Sequence, residues 1–136
     1  SDERRAKEMA ERERKRIREE ALVRIGMFKD VLEIDPGDPL ATFGMGKAYV
    51  QLDDHEAAIP HLRRATEVQK DYSAAWLDYG KCLEFTGRRQ DAISAYRNGI
   101  AAASRKGDLM PLREMERRLK LLIAPPAESA RTSDLH

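Results

Sequence analysis

The chain has 136 residues, with 25 Lys and Arg against 24 Asp and Glu, 36% of residues charged, 41% hydrophobic and 6% aromatic. A formal net charge of +1 excludes a general polyanion binder, one cysteine excludes an intrachain disulfide framework, and no apolar run approaches the ~20 residues of a membrane span. The mean hydropathy of −0.67 predicts a thin core with a solvated surplus, and a charged opening segment where a leader would be apolar points to a cytoplasmic protein.

Residues 1–20 hold eight basic and seven acidic residues, with Met9 and Ile17 the only large apolar ones. The segment reads as a coiled coil, as an RNA-touching arm, or as a solvated helix carrying pairs such as Glu8–Arg12 and Glu11–Lys15. Charges that nearly cancel and the absence of aromatics argue against nucleic acid. A heptad seam through Ala6, Ala10, Glu13 and Ile17 is weak, so a solvated helix is expected. It runs on into Leu22, Ile25, Phe28, Val31, Leu32 and Ile34, a predicted packing stripe that stops at Asp35-Pro36-Gly37-Asp38-Pro39. One helix from about residue 3 to Ile34 is expected, exposed in its first half and docked in its second.

Residues 39–72 and 73–106 then match at an offset of 34. Ala41 pairs with Ala75, Gly46-Lys47 with Gly80-Lys81, Ala58-Ile59 with Ala92-Ile93, and Arg63 with Arg97. Apolar positions pair as well: Met45 with Tyr79, Tyr49 with Leu83, Leu62 with Tyr96. Each unit carries helical spacing twice, as in Ala41, Met45, Ala48, Tyr49, Leu52 and then Ala58, Ile59, Leu62, Ala65, Val68. The polar breaks, Asp53-Asp54-His55 and Thr86-Gly87-Arg88-Arg89, have room only for a tight turn, and Gly87 suits a left-handed helix end. Each unit is a helical hairpin. Pro60, inside the second helix of its unit, would remove a hydrogen bond at up to ~3 kcal/mol unless it lies in the first turn.

After Gly107-Asp108, the residues Leu109, Leu112, Met115, Leu119 and Leu122 make one more apolar stripe, with Arg113, Glu116, Arg117 and Lys120 toward water. Residues 124–136, with Pro125-Pro126, read as a disordered tail. The domain reading is a charged extension over 1–20, a helical repeat domain over 21–123, and the tail.

A 34-residue helical hairpin resembles the tetratricopeptide repeat. The resemblance rests on Gly46 and Gly80, Tyr49 and Leu83, Ala58 and Ala92, Leu62 and Tyr96, Ala65 and Gly99, and Trp76. Thr42 replaces the aromatic of the first unit, and Lys70 and Ser104 stand where a proline usually closes the repeat. The resemblance implies an all-α solenoid with two full repeats, a preceding half repeat, a C-terminal capping helix, and about five packed helices in all behind a long charged extension. It also implies a non-enzymatic adaptor or scaffold that binds protein. Family members that hold chaperone C-termini use a set of Lys, Asn and Arg; here Phe43, Lys47 and Asp78 stand in those places, so that clamp is absent.

Catalytic chemistry has little to work with. His55, His61 and His136 lack the i, i+4 spacing of paired metal ligands, so no metal or cofactor is expected. Cys82 aligns with Ala48 on a packed face and reads as a structural thiol. Gly44-Met45-Gly46-Lys47 lacks the spacing of a phosphate loop.

In stacked hairpins the first helices line a concave face. That register places Leu40, Phe43, Lys47 and Val50 of the first unit, and Leu77, Asp78, Lys81, Glu84 and Phe85 of the second, toward the groove. Phe43 and Leu77 form an apolar floor between Lys47 and Lys81, suited to a peptide with a hydrophobic anchor and an acidic or carboxylate group. Alternatively, Phe43 packs on the helix of residues 21–34 and the lysines are only solvated. The incomplete first repeat also allows a self-associating scaffold, a homodimer through the N-terminal helix, and a further alternative is a regulatory subunit of a larger complex.

Overall fold

Six α-helices follow one another in a computed structural model that describes residues 1–125: α1 (Asp2–Ile34), α2 (Pro39–Gln51), α3 (His55–Val68), α4 (Ser73–Phe85), α5 (Arg89–Lys106) and α6 (Leu109–Ile123). Five of them, α2–α6, stack in sequence behind α1, which is extension and first packed helix in one. The tail expected over 124–136 lies outside the described residues beyond Pro125.

Local chemistry sets the helix boundaries. Asp38 accepts from the Ala41 amide at 2.8 Å and Asp54 from the Ala57 amide at 3.0 Å, capping α2 and α3, and Pro39 opens α2 where its missing N–H is harmless. The turn between the helices of each unit needs one left-handed residue. Gly87 supplies it at φ 78° and Asp53, 34 positions earlier, at φ 57°. At Lys70 the chain has already left α3, and its carbonyl accepts from Trp76 Nε1 at 2.9 Å. At the matching Ser104 nothing breaks the helix, so α5 runs on to Gly107, whose φ of 75° ends it. Pro60 sits in the second turn of α3 on the exposed side, and the helix continues through it.

Pairing within each unit relies on glycine where the helices cross. A Cβ on Gly46 would run into the Leu62 side chain, and one on Gly80 into the Tyr96 ring. Leu62 and Tyr96 are fully buried. They join Ala58, Ile59, Leu83, Ala92 and Met115 in one thin core, while Ala21, Ile25, Met45 and Ala48 form a second between α1 and α2. Tyr49 touches both.

Two stripes differ from the sequence reading. On α1, Ala21, Ile25, Phe28 and Leu32 dock, whereas Leu22, Val31 and Ile34 are exposed at 56%, 40% and 89%. The docked face is narrower because α2 alone covers it, and the ring of Phe28 fills the space beside Gly44. On α6, Leu112, Met115, Leu119 and Leu122 pack as expected, but Leu109 is 53% exposed at the first turn.

The cap is pinned by charge as well as by apolar contact. Glu84 of α4 accepts from the buried Tyr96 hydroxyl and lies 3.5 Å from Arg118 of α6. Arg118 also donates to Glu114 at 2.8 Å, and Arg117 to the same carboxylate at 2.9 Å. These hydrogen bonds hold the Glu114 carboxyl down at about 2. A carboxyl depressed in the folded state stabilises it above the unfolded value of 4.5 and loses that effect as pH falls toward 2. Solvent screening limits the contribution to about 1 kcal/mol or less. The thermal midpoint of the wild type should therefore fall further than that of Glu114→Gln between pH 5 and pH 2, as followed by circular dichroism; parallel curves would deny the contribution.

Candidate partner-binding groove

Helices α2, α4 and α6 line one face, with α4 touching both of the others, while α1, α3 and α5 stand behind them. Two hollows open on this face. One of about 250 Å³ lies between α2 and α4, lined by Lys47, Val50, His55, Asp78, Lys81 and Phe85. A broader one of about 730 Å³ lies between α4 and α6, with Leu77, Met110 and Arg113 among its walls.

The nine residues placed toward the groove by sequence separate in space, with Phe85 at the α2–α4 hollow and Leu40 exposed outside it. Lys47, Val50, Asp78 and Lys81 meet in the α2–α4 hollow, and Leu77 lines the α4–α6 hollow. Phe43 packs its ring on Tyr72 at a centroid distance of 4.7 Å, not on α1. Glu84 points the other way, into the Tyr96 and Arg118 contacts that seat the cap.

The two lysines are also unlike each other. Lys47 Nζ lies 3.4 Å from the Asp78 carboxylate and 5.5 Å over the Phe43 ring. Lys81 forms no ion pair among the described residues. Their shared repeat position gives the same backbone placement, but only Lys47 has a carboxylate across the groove.

The sequence reading missed His55. It opens α3 directly after the Asp53-Asp54 turn, and its ring meets that of Phe85 at 4.8 Å, so the two close one end of the hollow. A residue at the first position of α3 reaches the end of the next unit only once the hairpins stack, which explains why spacing gave no signal. Phe85 remains 66% exposed. At the floor, burial pushes the Cys82 thiol up to about 11, so it is protonated at neutral pH and a poor nucleophile. His61, stacked on Tyr49, is held below the usual histidine range by burial first and Lys29 second. Among the described residues no three His, Cys, Asp or Glu side chains cluster as a metal site, and no helix is long and apolar enough to cross a membrane.

Stacked antiparallel hairpins whose first helices line one face, crossing at glycine, define the class as a helical-repeat solenoid. A tetratricopeptide repeat model matches residues 43–72. Over 76 residues, 56% of this chain and 72% of the other, the sequence is 38% identical to TPR repeat-containing protein PA0015 of Pseudomonas aeruginosa. The chain belongs to the tetratricopeptide repeat family. Among solved structures, protein BPP2914 from Bordetella parapertussis is 32% identical with a TM-score of 0.61, covering 82% of this chain and 91% of that one. The first TPR of Spaghetti (RPAP3), solved bound to the HSP90 peptide SRMEEVD, shares the fold at a TM-score of 0.61 with 16% identity, covering 72% and 73% of the two chains.

Proposed function

We propose that this chain is a non-enzymatic protein-interaction module whose concave face takes a peptide segment of a partner protein. One observation carries the reading: the α2–α4 hollow sets an exposed aromatic, Phe85, and the apolar Val50 beside a lysine, Lys81, that no carboxylate of the described chain neutralises. An aliphatic or aromatic side chain fits against Val50 and Phe85. A carboxylate beside it pairs with Lys81 and with Lys47, the latter by displacing Asp78. Exposed rim charges contribute little each, so the apolar anchor supplies most of the affinity and the lysines choose its neighbour. A protein of the same fold solved with a peptide bound supports a peptide as the class of ligand.

A displayed library of random short peptides tests this directly. Enrichment of sequences with one large apolar residue flanked by Asp or Glu is expected, along with at least tenfold weaker binding of the enriched peptides to Lys47→Glu/Lys81→Glu at unchanged helicity. Selected peptides that bind the double variant as well as the wild type would place the site elsewhere.

A further inference from the structure

Helix α1 has a second face. Away from the residues docked on α2, Met9, Val23, Met27 and Ile34 are exposed at 67%, 63%, 60% and 89%. With Glu13, Arg16, Glu20 and Asp30 they recur at alternating steps of four and three, a 3.5-residue period over almost the whole 33-residue helix. This seam differs from the weak one through Ala6, Ala10 and Ile17. Ile17 is half-buried at the Gln51 and Leu52 end of α2, so that side of the helix is partly used.

We infer that this face pairs with the same face of a second copy, as an antiparallel α1–α1 dimer centred near Arg18. Charge decides the direction. A parallel pair in register would set Glu13, Arg16 and Glu20 each against its own copy. The antiparallel pair sets Arg16 of each copy against Glu20 of the other, Met9 against Met27, and Val23 against Glu13, whose carboxylate is held by its own Arg16, twice each about a two-fold axis. Arg16 bridges Glu13 and Glu20 along its own helix, so in the pair the partner's Glu20 exchanges with the resident one and both guanidinium groups stay paired. Size permits it as well. Two such helices, ~50 Å long and ~10 Å wide, cover ~500 Å² per partner, near the ~1,000 Å² total of a specific interface. Among the other helices α1 touches α2 alone, along Ala21, Ile25, Phe28 and Leu32, which leaves the seam uncovered.

Sedimentation of the full chain over a wide concentration range should show a mass rising from 15.5 kDa toward twice that value. Met27→Glu should raise the dimer dissociation constant at least tenfold at unchanged helicity. Under oxidation, Met9→Cys/Met27→Cys should form a covalent dimer and Met27→Cys alone should not, because antiparallel copies hold residue 27 far from itself; buried Cys82 stays out of reach in both. A monomer at every concentration, dimerisation unaffected by Met27→Glu, or cross-linking of Met27→Cys alone would each overturn the proposal.

Discussion

Tyr96→Ala is expected to lower the stability of the fold by about 3–5 kcal/mol, the range for emptying a buried aromatic site. Tyr96 is fully buried, its ring fills the space that Gly80 leaves on α4, and its hydroxyl donates to Glu84. The loss therefore joins a cavity to a carboxylate that has lost its hydroxyl donor and keeps Arg118 as its partner. Tyr96→Phe isolates the second effect. It keeps the ring and removes one hydrogen bond to a charged group, for about 1.5–3 kcal/mol. Urea unfolding midpoints for the three proteins rank them; if alanine and phenylalanine cost the same, the ring is not what holds α4 on α5.

The second large effect falls on the other crossing. Gly46→Val should destabilise by several kcal/mol, or prevent folding, because the new branches enter the volume of Leu62, whose backbone nitrogen stands 3.5 Å from a Cβ at that position. A side chain can turn away, but the helix carrying it can move only by opening the hairpin. Gly26→Ala is the counterpart. No atom lies within 4 Å of a Cβ there, and the site is mid-helix and exposed. Alanine should stabilise α1 by about 0.5–1 kcal/mol through propensity alone. Thermal melts that show Gly26→Ala and Gly46→Val shifting in the same direction would overturn this account of the glycines.

These glycines also show what could be read from the sequence. A 34-residue period, a small residue at one position and a bulky one sixteen later reveal a hairpin, because helix crossing is local and repeats with the chain. Gly87 marked its turn for the same reason. The α1 stripe did not resolve: periodicity shows that a helix has apolar sides, and only the position of α2 decides that Ile25 docks while Ile34 faces water. In the groove, Lys47, Val50, Asp78 and Lys81 came together because stacking follows from the repeat. Glu84 did not, because its partner Arg118 belongs to the cap, which departs from the repeat pattern.

On the proposed reading, the Lys47–Asp78 pair would make recognition of an acidic ligand an exchange reaction. A ligand carboxylate that takes Lys47 releases Asp78 into water, so one ion pair replaces another and the net electrostatic gain is small. A neutral peptide leaves the resident pair untouched. On the proposed peptide reading, affinity should be nearly level between acidic and neutral ligands at Lys47 and diverge at Lys81, which has no ion-pair partner among the described residues. Raising the salt concentration should weaken an acidic ligand chiefly through that single position.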